Sequence, residues 1–155
     1  MDLLLQKGLK LSGKQKAVEN LEISDELNRH PVFCKLEQFR FEKESWKRIL
    51  GFIEQENEYF ERRLLEVLKK SADLAFMPEF IYFKSWIADQ DEKLKRMRKS
   101  LYGNDYLLTG ELSVDSSRLK KIIHQQKTMR MEMKIVEETF YRLKINFNYF
   151  LGECL

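Results

Sequence analysis

The sequence predicts an all-α fold, an antiparallel three-helix bundle or coiled coil, from three observations. Leu119, Ile122, Gln126, Met129, Met133, Val136, Phe140, Leu143, Phe147 and Phe150 recur at alternating steps of three and four, the spacing that lines one face of a long helix. Phe80, Phe83, Ile87, Gln90, Leu94, Met97 and Leu101 repeat the pattern, and Phe39, Trp46, Ile53, Phe60 and Val67 form a strict seven-residue series. Punctuation is the third observation. Only 6 glycines and 2 prolines occur in 155 residues, so the chain has few places to turn and its elements must be few and long.

Taken in chain order, residues 1–30 are punctuated by Gly8 and Gly13, and Ala17, Val18, Leu21 and Leu27 leave them as a partly mobile segment or a short fourth helix, with Ser24 as an internal cap. Pro31 suits the first turn of a helix, where its missing N–H is no loss. The first long helix is therefore predicted over 32–71, about 60 Å at ~1.5 Å per residue. Gly51 falls inside it, crowded in sequence by Trp46, Leu50 and Phe52, and reads as a point of close packing. The connection from Asp73 to Met77 leads to Pro78, which opens a second helix over 78–102. Gly103 and Asn104 are left-handed stop residues. GNDYLLTGELSVDSS, from Gly103 to Ser117, has the turn chemistry of a loop. Asp115, Ser116 or Ser117 caps a third helix over 117–151. Residues 31–155 thus form one helical domain behind an N-terminal segment.

Composition excludes more than it names. At 18.7 kDa and 43% hydrophobic the chain suits one domain with a real core. Its 34% charged fraction, against an average of roughly 25%, dresses the outer faces of long helices. A net charge of +3 identifies no partner by itself. MDLLLQKGLKLSG lacks the basic start and apolar run of a signal peptide, and no stretch approaches the length of a membrane span, so a cytoplasmic protein with no membrane contact is expected. Cys34 and Cys154 are too few and too distant in sequence for a disulfide framework or a zinc site.

Catalytic chemistry is not indicated. A di-iron bundle site needs Glu-x-x-His pairs, but Lys121 stands three before His124 and Leu27 three before His30. Nucleophile elbows and phosphate loops are missing. No enzyme activity, no cofactor and no metal are expected. Three polar residues interrupt the seams. Asn57, Gln90 and Gln126 fall at similar depths of an antiparallel arrangement and are expected to form one polar core layer that fixes register. Ten basic residues, Lys93, Lys95, Arg96, Arg98, Lys99, Arg118, Lys120, Lys121, Lys127 and Arg130, gather near the loop between helices two and three as a candidate anion or nucleic-acid patch.

Two apolar features remain unassigned. Tyr141, Ile145 and Tyr149 lie off the third seam and mark a candidate contact surface, expected to meet the N-terminal segment in preference to another subunit. Because the second helix is the shortest, Phe33, Leu36, Phe39, Phe41 and Trp46 are expected to be exposed unless the N-terminal segment, the Tyr106–Leu108 loop or a second copy covers them. LEISDELNRHPVFCKLEQFRFEKESWKRIL, Leu21 to Leu50, resembles the corresponding region of small uncharacterised bacterial proteins of the Bacteroidetes type. That resemblance spans about a fifth of the chain, includes no motif with chemistry, and implies only a bacterial, all-helical protein. The function expected is protein–protein contact, as adaptor, scaffold or self-associating regulator. The alternative is an anion- or nucleic-acid-binding module using the basic patch.

Overall fold

A computed structural model describes residues 13–70, 74–103 and 116–154, with side chains over 34–70, 75–103 and 116–154. These residues are helical, without a strand among them. Helix α1 runs Gly13–Lys70, a short 3-10 turn spans Leu74–Phe76, α2 runs Met77–Gly103 and α3 runs Ser116–Cys154. The chain divides into two units, Met1–Gln38 and Phe39–Leu155, and the three helices pack together in the second.

Helix α1 corrects the expected start at residue 32. Pro31 lies inside the helix, where it withholds one N–H from the ladder at a cost of about 3 kcal/mol or more. The residues from Gly13 to His30 include three Glu, two Lys and two Leu, good helix formers that sustain helix on the N-terminal side of the break. The other boundaries agree with the expected ones to within three residues. At the end of α2, Gly103 does not take a positive φ, so this helix does not stop on a left-handed glycine there. Asn104, Asp115 and the Tyr106–Leu108 loop lie outside the described residues.

The seams are the core. Trp46, Leu50, Ile53, Phe60, Leu64 and Val67 of α1 pack with Phe83, Ile87, Leu94, Met97 and Leu101 of α2. Met129, Met133, Val136, Phe140, Leu143, Phe147, Phe150 and Leu151 of α3 complete the cluster. Aromatic rings tie the three helices together: Phe60 lies 4.9 Å from Phe147, and Phe83 lies 5.3 Å from Phe147 and 5.0 Å from Phe150. Such ring pairs add about 0.5–1.5 kcal/mol beyond the area they bury.

Long-range polar contacts set direction and register. Arg98 pairs with Glu54 at 2.6 Å and Asn57 with Asp91 at 2.9 Å, so α2 descends as α1 ascends. Arg130 meets Glu42 and Lys144 meets Glu56, each pair 88 residues apart. A constant separation means that α3 runs parallel to α1 without slippage. Gly51 is not a point of close backbone approach, because a Cβ there would meet only the Arg98 Nη2 at 3.9 Å.

Candidate interaction surface and basic cluster

The three seam amides are all buried, Asn57 at 0%, Gln90 at 5% and Gln126 at 2% exposure, but they do not form one layer. Asn57 Nδ2 donates to Asp91 Oδ1 at 2.9 Å. Gln126 Nε2 donates at 3.2 Å to the carbonyl of Phe39, about 27 Å along α1 from Asn57 at ~1.5 Å per residue. Neither amide atom of Gln90 meets a partner, and Asn57 Oδ1 lacks one as well. The expected amide triad is thus replaced by an Asn57–Asp91 pair and a separate side chain-to-backbone bond. Asp91 was invisible to seam reasoning because it stands one residue off the apolar stripe.

Around that pair sits an acidic cluster. The Glu61 carboxyl is raised above its ordinary value, first by burial, then by repulsion from Asp91 and Glu58, with Lys95 pulling the other way. Groups of three or more His, Cys, Asp or Glu with metal-holding geometry are absent among the described residues. His124 is exposed, and the side chain of His30 lies outside the described residues. Cys34 and Cys154 are both reduced, and burial together with Glu153 pushes the Cys154 thiol up.

The ten basic residues are not one continuous open patch. Arg98 is engaged by Glu54, and Arg130 is held by both carboxylate oxygens of Glu42 at 2.9 and 2.6 Å, a contact that raises its already high pKa. Lys93 and Arg118 are half-buried, whereas Lys95, Arg96, Lys99, Lys120, Lys121 and Lys127 are exposed. Beside the end of α2 lies a shallow groove lined by Ser100, His124, Gln125, Thr128, Met129 and Glu132. A glutamate in its wall tempers any attraction for anions.

The candidate contact surface is open. Tyr141, Ile145 and Tyr149 are 56%, 70% and 73% exposed, so the expected intramolecular cover is not supplied by the described residues. Helix α1 adds Phe41, Phe52 and Tyr59, also exposed. Leu36, Phe39 and Trp46, expected to be open, are buried; the side chain of Phe33 lies outside the described residues. Between α1 and α3 a groove is lined by Arg48, Ile49, Phe52, Ile53, Glu137, Phe140 and Tyr141. Phe52 packs edge-on to Phe140 at 5.9 Å, and Lys144 bridges to Glu56 at 3.1 Å while lying 5.9 Å from the Phe52 ring.

Phe41, Phe52 and Tyr59 were not grouped from sequence. Their signal was present as a second stripe of α1 at steps of seven and eleven residues, masked by the stronger core seam beside it. Lys43, a buried lysine, was missed for the opposite reason, since charge alone argues for an outer face. No helix among the described residues is long and apolar enough to cross a membrane. Comparison with protein-family models, characterised proteins and solved structures finds no match to this chain.

Proposed function

We propose that this chain is a non-catalytic helical-bundle protein that works through protein–protein contacts, as an adaptor, scaffold or self-associating regulator in a bacterial cytoplasm. The observation that supports this reading is the exposed stripe of Tyr141, Ile145 and Tyr149 on α3 beside Phe52 and Tyr59 on α1, which the 88-residue register sets level with Phe140 and Phe147. Single exposed apolar residues are ordinary, but five large ones on two adjacent parallel helices form the kind of patch that marks an interaction site. Tyrosines and phenylalanines are also the side chains that interfaces enrich, since they bury much area at little entropic cost. Two cations near the patch, Lys144 and Arg63, are paired within the chain with Glu56 and Glu66 and so are not left open for a phosphate backbone.

A photo-crosslinking residue placed at Ile145 in living cells tests the reading. The expected result is a discrete polypeptide adduct that disappears when Tyr141 and Tyr149 are replaced by glutamate in a chain that keeps its helical circular dichroism. No adduct at Ile145 would remove the reading's support. The exposed lysines and arginines at Lys95, Arg96, Lys99, Lys120, Lys121 and Lys127 sustain the competing anion- or nucleic-acid-binding reading. It requires a mobility shift on RNA or DNA that weakens steeply with salt and is lost on charge reversal at Lys120 and Lys121.

A further inference from the structure

We infer that the α1–α3 groove of one copy receives the acidic helical stretch of residues 17–28 from a second copy. This inference rests on the protein-contact reading and deepens it by naming the partner.

Ile49, Phe52, Ile53, Phe140 and Tyr141 give the groove an apolar lining, and Tyr59 continues it one heptad beyond Phe52. Its open charges are mostly cations. Arg48 stands in the α1 wall, and Arg62, two heptads on, keeps the same side of that helix. On α3, Lys134 and Lys127 stand one and two heptads before Tyr141 and keep its side. All four are exposed, and no ion pair among the described residues engages them. Opposing them are Glu137 in the wall and Glu138 beside it, while Lys144, Arg63 and Arg130 are balanced by Glu56, Glu66 and Glu42. Four open cations against two open carboxylates leave the groove net positive. An occupant that fits it is apolar on one side and acidic along its borders.

The chain carries such a segment. AVENLEISDELN, residues 17–28, holds Glu19, Glu22, Asp25 and Glu26 and no base, and it belongs to helix α1, Gly13–Lys70. At about 100° per residue, Ala17, Leu21, Ile23 and Leu27 fall within one half of that helix and the four acids within the other, with Val18 among them. Ala17 with Leu21 and Ile23 with Leu27 are pairs four apart, the spacing with which a helix anchors in an apolar groove. The acids then flank the anchors, on the side of Arg48 and Arg62 and on the side of Lys127 and Lys134. Because Gly13–Lys70 is one unbroken helix, residues 17–28 cannot double back onto residues 48–62 of the same helix. The occupant therefore comes from another molecule. Segment and groove are different surfaces, so the contact is head-to-tail, and each added copy brings a further segment or groove.

Sedimentation and light scattering of the full chain read this directly. The weight-average mass is expected to climb from 18.7 kDa through its multiples between about 10 µM and about 1 mM, and to fall back when salt screens the charges. The variants E22K/E26K and R48E/R62E, each checked for its helical circular dichroism, should weaken the association roughly tenfold or more. Mixing the two variants should restore it, because the unchanged segment of one then meets the unchanged groove of the other, and the reversed segment meets the reversed groove. A wild-type chain that stays at 18.7 kDa throughout overturns the inference, as does association that R48E/R62E leaves unchanged or that mixing fails to restore. If the chain stays monomeric while the Ile145 crosslink captures a polypeptide of another mass, only the self-docking is lost. If the crosslink is absent too, the protein-contact reading falls with it. A salt-sensitive RNA shift that R48E/R62E abolishes, in a chain that does not self-associate, assigns the groove to nucleic acid instead.

Discussion

Gln90 is buried among apolar side chains with neither amide atom partnered, and a buried polar group left unpaired costs about 1–3 kcal/mol. Replacing it by leucine removes that cost and keeps the volume, so Gln90→Leu is expected to raise the melting temperature whether or not Asn57 is changed. Calorimetry of Q90L, N57L and the double variant checks this, and destabilisation by Q90L alone would mean that its amide has a partner in solution. Asn57→Leu should be unfavourable by itself, since it takes from Asp91 the donor it holds at 2.9 Å. A second residue-scale expectation concerns Glu61. Its raised carboxyl binds a proton more tightly in the folded than in the unfolded chain, so its effect is to remove stability as pH climbs from the ordinary value of 4.5 through the raised one. Glu61→Gln should therefore stabilise the chain at neutral pH, and the advantage should vanish below pH 4.5. Melting curves at both pH values decide it, and an advantage that grows in acid would reverse the sign of the argument.

Helix α1 shows what a helix can absorb. Gly51 lies where α2 passes, but the space beside it is filled only by the distal guanidinium of Arg98, 3.9 Å from where a Cβ would sit. Alanine fits at that distance. Gly51→Ala is expected to stabilise by about 0.5–1 kcal/mol through helix propensity, measured as a shift of the urea midpoint without change in slope. A loss would show that Arg98 needs the room to reach Glu54. The sequence made the seams of all three elements readable because three-and-four spacing has one physical meaning over thirty residues. Element ends were less readable. Pro31 has two meanings, a helix start or a break that flanking helix formers can sustain, and local spacing does not distinguish them. The register of α3 was not readable at all, since the connection of residues 104–115 lets that helix slide in principle. Arg130–Glu42 and Lys144–Glu56 fix it, and each of those pairs lies 88 residues apart in sequence. The same limit hid the α1 half of the surface: Phe52 and Tyr141 line one groove only because α1 and α3 are parallel and in this register, a relation that neither helix's own periodicity contains.

At the scale of the whole bundle, unequal helix lengths imply unequal stability along it. The last turn of α2 is placed by Lys47, whose ammonium lies 4.5 Å from the Tyr102 ring, and by the Ser100 groove against His124–Glu132. Beyond that level α1 and α3 continue without α2 at their side. The three-helix portion holds the ring chain of Phe60, Phe83, Phe140, Phe147 and Phe150, where side chains are 5% exposed or less. Local opening draws on the buried contacts that must be broken, so the N-terminal turns of α3 should open without disturbing its C-terminal half. Native-state hydrogen exchange is expected to show backbone amides of residues 120–126 exchanging well before those of residues 136–147. Phe60→Ala, expected to cost about 3–5 kcal/mol by cavity creation, should erase most of that contrast. It lowers the global unfolding energy, which for domains of this kind is only about 5–15 kcal/mol, toward the energy of the local opening. Uniform protection along α3 in the wild type would show that residues 120–126 are held as firmly as the core, and the gradient drawn from helix length would then be wrong.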